Sequence, residues 1–210
     1  MDNVINYYNR FDEWGRLDRE PIEFIVNWHH IRGLLPLKGH ILDNGAGPGK
    51  YSVELAKCGY DVTLTDLTPR LVEIAGEKAV EMNVEGFFKG FHIADARNLN
   101  IFNDEKFDAS LMLGPLYHLQ TPAYRDSAVQ ELHRVTKRDG IVFVAFMTRI
   151  RHLTTSLLFP QYWKPNDNIE DINSFLGHAD ENPSHFNGGD ESPLCPISLC
   201  GMARAKKCLF

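Results

Sequence analysis

The sequence predicts an α/β fold built on a doubly wound, mostly parallel sheet with helices on both faces. Two observations predict it. Short β-branched or apolar runs alternate with helix-length segments between about residues 40 and 147, the spacing of βαβ units. The residues that carry chemistry, Asp43 to Gly49, Asp66, Asp95 and Leu113 to His118, all fall at the carboxyl ends of those runs. Open parallel sheets bind ligands there, near the switch in strand order.

The elements follow in order. Residues 3–15 and 20–34 read as helices; in the second, Phe24, Ile25, Trp28, Ile31 and Leu35 recur at helical spacing and Pro21 suits a first turn. Pro36 and Gly39 break the pattern. His40 to Asp43 is a first strand, Tyr51 to Lys57 a helix closed near Gly59, and Asp61 to Asp66 a second, β-branched strand. Pro69 opens a helix to about Met82. Gly90 to Ala94 gives the third strand and Phe107 to Leu113 the fourth. A helix from Pro122 to Thr136 carries Val129, Leu132, His133 and Val135 on one side, and Gly140 to Met147 is a strongly apolar fifth strand. Three regions result: N-terminal helices (1–36), an α/β core (37–165) and an irregular C-terminal segment (166–210).

Composition sets bounds. At 210 residues, 43% hydrophobic, the chain suits one core, which can grow to roughly 250 residues. A net charge of −6 lacks the basic footprint of a general nucleic-acid binder, so small molecules or proteins, and no nucleic acid, are expected as substrates. No apolar run reaches the roughly 18 residues of a membrane span, and no apolar leader core follows Met1. We expect a cytoplasmic protein without a membrane partner. Cys58, Cys195, Cys200 and Cys208 lack paired metal-ligand spacing, so no metal is expected.

The glycine-rich turn carries the most information. Gly45, Gly47 and Gly49 lack Cβ atoms and let backbone approach a ligand closely. The dinucleotide fingerprint is Gly-x-Gly-x-x-Gly; here the third glycine comes one residue early and Lys50 occupies its place. Asp43 stands two positions before the first glycine. A carboxylate there repels a pyrophosphate and attracts a cationic amino group, which favours an amino-acid-bearing nucleoside. Asp66 lies 21 residues beyond Gly45 (66 − 45) and can accept from ribose hydroxyls, or else cap the next helix, for which Thr68 stands closer. Asp95 can accept from an adenine amine beside small Ala96, or form a plain Asx turn with the following residues.

These motifs together resemble the class I S-adenosylmethionine-dependent methyltransferases. Ile41-Leu42-Asp43-Asn44-Gly45-Ala46-Gly47-Pro48-Gly49 is similar to that family's first motif, Asp66 to its ribose-binding acid and Ala94-Asp95-Ala96 to its adenine loop. Leu111 to Leu119 resembles the segment after strand four in its small-molecule, ubiquinone/menaquinone-biosynthesis-like branch. Glu131 to Gly140 resembles the helix and turn before strand five, with Asp139 where a proline is usual. The resemblance implies S-adenosyl-L-methionine as cofactor, held by Asp43, Gly45, Ala46, Gly47, Gly49, Asp66, Leu67, Asp95, Ala96 and Leu113. It also implies N-terminal helices over the cofactor: Tyr7, Tyr8 and Trp14 are lid candidates, or else core aromatics, and Arg16 is a candidate for the cofactor carboxylate. Methyl transfer to a small molecule by in-line displacement then needs alignment and, for a hydroxyl or acidic carbon, a base. His118 is the candidate base and Tyr117 the alternate; local packing of His118 is the competing reading.

Three rival functions stand beside this one. A cofactor-binding protein without activity fits the same loop. A nicotinamide-dependent oxidoreductase is opposed by the glycine spacing and Asp43. A base-amine methyltransferase would carry Asn/Asp-Pro-Pro-Tyr where this chain has Leu113-Gly114-Pro115-Leu116. Residues 151–163 can supply a helix, but strand patterning fails from about Asn182, where the family has two more strands. We therefore expect C-terminal strands missing or altered from near residue 187, an exposed edge beside strand five, and homodimers through that edge.

Overall fold

In the computed structural model, residues 2–19, 21–119, 121–146 and 201–205 are described. Six strands form one sheet: β1 (His40–Asn44), β2 (Asp61–Asp66), β3 (Phe88–Ile93), β4 (Phe107–Met112), β5 (Thr136–Phe146) and β6 (Gly201–Ala205), in the order β3-β2-β1-β4-β5-β6. The first five are parallel and β6 runs antiparallel to β5. The order reverses between β1 and β4, which open the site at their carboxyl ends. The expected doubly wound class is observed.

Side-chain alternation along the strands builds two cores. Ile41, Val62, Ala109, Leu111 and Phe143 join one with Ile31, Tyr51 and Val53. Leu42, Phe107, Met112 and Val144 face the other with Ala128, Leu132 and Val135. The central strands β1, β2 and β4 are therefore buried on both faces. The first core is covered by α3 (Pro21–Leu34) and α4 (Lys50–Lys57); α6 (Pro122–Val135) covers the second. In α5 (Pro69–Glu81), Leu71, Val72, Ala75 and Ala79 form the buried stripe. Pro122 sits in the first turn of α6, and the Thr121 hydroxyl caps it by accepting from Tyr124 N at 3.2 Å.

The structure corrects several expectations. The first helix is two, α1 (Asp2–Tyr8) and α2 (Glu13–Arg19); Asp12 Oδ1 accepts from Gly15 N at 2.9 Å, so a side chain opens a new helix there. Along α3, Ile25 points outward and is 60% exposed while Phe24, Trp28, Ile31 and Leu35 face the core. On α6, Val129 is exposed and Ala128 takes the buried position, since the stripe runs at i, i+4, i+7 through Leu132 and Val135. No separate turn precedes β5: the strand starts at Thr136, and Asp139, expected in a turn, lies in it. The register shifts between Phe107↔Thr136 and Ala109↔Ile141 absorb the extra residues.

The expectation of an uncovered edge beside strand five is overturned by β6, which pairs with Val142 to Phe146. Glycine and two alanines give that segment low strand propensity, and the pairing with β5 overrides it. The expected helix at 151–163 and most of the 166–210 segment lie outside the described residues. No helix among the described residues is long and apolar enough to cross a membrane, and no cluster of potential metal ligands occurs among them.

Candidate functional site

At the carboxyl ends of β1, β2 and β4 lies a cavity of about 250 Å³. The strand order explains its place: three strand ends meet the α1–α2 segment across the switch point.

The floor is the turn after β1. Gly45, Gly47 and Gly49 take φ of +71°, +58° and +82°, a left-handed bend that residues with Cβ avoid. The bend is tied back to β2, because Gly45 N and Ala46 N both donate to Thr65 O at 2.8 and 3.0 Å. At Gly45 a Cβ would lie 2.2 Å from Pro115 Cγ, and at Gly49 one would lie 2.9 Å from Leu64 Cδ1 and 3.1 Å from Ala75 Cβ. Gly45 is thus glycine because the segment after β4 closes on it, and Gly49 because β2 and α5 pack against it. Gly49 alone among the sequence-identified loop residues does not line the cavity.

Asp43, the penultimate residue of β1, is 2% exposed and accepts from Ser52 Oγ at 2.6 Å. Burial pushes its carboxyl up to about 6; the Ser52 bond opposes this and the nearby Asp66 charge adds to it. Asp66 ends β2. One of its oxygens accepts from Gly47 N and the other from Thr68 N, each at 2.8 Å. It therefore fastens the glycine bend to the start of α5. Thr68 is the N-cap residue of α5, without a side-chain cap bond. A carboxylate has about four acceptor positions, so Asp66 keeps capacity for a ligand. Burial holds its pKa above the ordinary value against these hydrogen bonds.

Asp95 forms the Asx turn that was the competing reading: Arg97 N donates to Oδ1 at 2.9 Å, and the Arg97 guanidinium grips both oxygens at 2.6–3.0 Å. Burial opposes these bonds but is outweighed, and the carboxyl stays below its usual range. Arg97 also stacks over Tyr124, 4.3 Å from the ring centroid. Asp95, Ala96, Leu67, Leu113 and Tyr117 line the cavity. Any amine meeting Asp95 must share it with Arg97.

The N-terminal helices supply the opposite wall. Tyr8 and Arg16 line it; Tyr7 and Trp14 do not. Tyr7 stacks on Phe11, and Trp14 packs on the core under the ammonium groups of Lys50 and Lys78. Arg16 is held by Glu13 at 2.7 Å and Glu23 at 2.9 Å, all three nearly buried. Burial pulls against its charge, but these two carboxylates outweigh it and raise its pKa. Lys50 Nζ binds Asp18 and approaches Trp14 O, clamping α2 onto the glycine bend.

His118 follows a single 3-10 turn, Pro115–Tyr117, after β4. Its Nε2 lies 3.0 Å from Tyr8 Oη. Burial lowers its pKa to about 4, so the imidazole is neutral at physiological pH.

Glu13, Glu23 and Lys50 were not read from the sequence as site residues. Glu13 and Arg16 do show i, i+3 charge spacing, but Glu23 joins them only because the chain folds back between α2 and α3. The cavity wall carries five carboxylates (Glu13, Glu23, Asp43, Asp66, Asp95) and two cations (Arg16, Lys50). That balance suits a positively charged ligand and opposes a diphosphate.

Residues 42–144 match a family described as a methyltransferase domain. A ubiquinone biosynthesis O-methyltransferase of Haemophilus ducreyi is 32% identical over 130 residues, 61% of this chain and 53% of that protein. A ubiquinone/menaquinone biosynthesis C-methyltransferase of Zymomonas mobilis is 28% identical over 123 residues, 59% of this chain and 48% of that protein. The chain thus spans about half the length of these curated relatives. A crystal structure of an S-adenosylmethionine-dependent methyltransferase from Methanosarcina mazei superposes with a TM-score of 0.53 at 28% identity, covering 62% of this chain and 65% of that one.

Proposed function

We propose, for a chain that belongs to the class I S-adenosylmethionine-dependent methyltransferases, that this cavity binds S-adenosyl-L-methionine and directs its methyl group to a small-molecule acceptor. The observation that carries the reading is the carboxylate-rich wall around a left-handed glycine bend. The residues fit the ligand by their chemistry. Gly45 and Gly47 leave room at the bend, Asp66 retains acceptor positions for ribose hydroxyls, and Ala96, Leu67 and Leu113 offer apolar surface to the adenine. Asp43, Glu13 and Glu23 suit the ammonium, and Arg16 the carboxylate. When bound, S-adenosylmethionine supplies an electrophilic methyl group on a cationic sulfur.

The chain's own residues then align, exclude water and move a proton. The α1–α2 wall, held down by Lys50 and the Glu13–Arg16–Glu23 cluster, shields the cavity from solvent, and alignment supplies most of the rate. His118, neutral and lining the cavity, takes the proton of a hydroxyl or acidic carbon as the new bond forms; Tyr117 is its neighbour. The low basicity of buried His118 favours acceptors that are themselves acidic, since proton transfer follows the pKa gap.

The acidic balance also weighs against nucleic acid as acceptor and against a nicotinamide dinucleotide. The region scheme 1–36, 37–165 and 166–210 belongs to the proposal, with the first as cofactor-covering lid. Incubation with methyl-labelled S-adenosylmethionine, a panel of phenolic, enolic and carboxylic acceptors, and RNA tests it. Label in a small molecule with equimolar S-adenosylhomocysteine supports it. Label in RNA alone, or S-adenosylhomocysteine binding without turnover on any acceptor, overturns the assignment of a small-molecule methyltransferase.

A further inference from the structure

The contact between α1 and the segment after β4 defines which ring nitrogen of His118 can react. Nε2 lies 3.0 Å from Tyr8 Oη, with the two rings edge to face at 5.6 Å. Nδ1 makes no hydrogen bond among the described residues. Neutral imidazole has one N–H and one lone pair. A proton on Nδ1 would leave an N–H without an acceptor in the described structure. A proton on Nε2 is satisfied by Tyr8 Oη and leaves Nδ1 with a bare lone pair, the state a base needs. Tyr8 can serve as acceptor because a phenol oxygen both accepts and donates, and Tyr8 has further interactions of its own.

We propose that Tyr8 is a positioning residue for His118: it accepts from Nε2–H, fixes that tautomer, and leaves Nδ1 as the nitrogen that takes the acceptor's proton. Tyr8 belongs to α1 and His118 to the β4 end of the sheet. The base is therefore correctly protonated only while α1 is docked, which couples closure of the N-terminal wall to proton transfer. The use of Nδ1 as a base rests on the methyltransferase reading; the tautomer does not.

Two-bond nitrogen–proton correlation spectra of the full-length chain, labelled with ¹⁵N-histidine, read the tautomer directly. His118→Asn identifies the signal among the nine histidines. Wild type is expected to show His118 protonated on Nε2 and bare at Nδ1. Tyr8→Phe keeps the ring and removes the oxygen, so the preference for Nε2–H should fall about tenfold, the worth of one hydrogen bond. A wild-type proton on Nδ1, or an unchanged ratio in Tyr8→Phe, overturns the proposal. S-adenosylhomocysteine titrated calorimetrically into the same samples separates the two ideas. Binding with an unchanged tautomer removes only the Tyr8 assignment. Absence of binding with Nε2–H locked removes the methyltransferase reading and leaves the tautomer standing.

Discussion

Replacing Gly45 with alanine tests whether the glycine bend is held open by the segment after β4. Two costs add. A Cβ-bearing residue at φ +71° is in left-handed space, worth about 1–2 kcal/mol. Its Cβ would stand 2.2 Å from Pro115 Cγ and 2.6 Å from Cδ, and a proline ring cannot swing aside like the end of a long side chain. Overpacking of this kind costs about 1–3 kcal/mol, for a sum of about 2–5 kcal/mol. Gly47→Ala is the control. Its φ of +58° carries the first cost, but the nearest atom to its Cβ is Glu13 Cγ at 3.7 Å, an ordinary contact. The gain from a stiffer unfolded chain is common to both and cancels. Urea unfolding should therefore show Gly45→Ala less stable than Gly47→Ala by about 1–3 kcal/mol, with equal slopes. Equal midpoints for the two variants would refute the close approach of Pro115.

Other outcomes follow from the same site. His118 has a folded pKa of about 4 against an ordinary 6.5, so its contribution is present above pH 6.5 and lost as pH falls through 4. His118→Asn should gain on wild type by about 3 kcal/mol between pH 7 and pH 4 in urea titrations. Asp43 behaves oppositely. Its pKa is raised to about 6, so its contribution is present below 3.8 and lost as pH rises through 6; Asp43→Asn should gain by about 3 kcal/mol between pH 4 and pH 7 in the same assay. Arg16→Met leaves Glu13 and Glu23 nearly buried without their cation, and should cost about 3–5 kcal/mol of unfolding free energy. Adding Glu13→Gln and Glu23→Gln should recover most of that loss. Ile31→Ala empties a fully buried position and should cost about 2–5 kcal/mol by the same measurement, without weakening ligand binding.

The parallel sheet was legible because short β-branched or apolar runs alternate with helix-length segments and close on Gly, Asp and Pro, a local signal. The bend was equally legible, since the positive φ values at Gly45, Gly47 and Gly49 are what those glycines permit. Legibility ended where partners come from distant segments. Nothing local announces that Glu23 closes on Arg16, that Lys50 clamps α2, or that Tyr8 reaches His118 across 110 positions. The break between α1 and α2 was missed because helical periodicity continues through it while Asp12 starts a new turn. The strand β6 was missed because its residues favour no strand; β5 supplies the template.

The central claim is that a carboxylate-lined glycine bend receives a cationic amino-acid nucleoside. Calorimetric titration of the folded protein with S-adenosylmethionine, S-adenosylhomocysteine and NAD, in one buffer, tests it most directly. Saturable heat is expected from the first two, abolished by Gly45→Ala, and none from NAD. Saturable binding of NAD with no response to either sulfur nucleoside would contradict it.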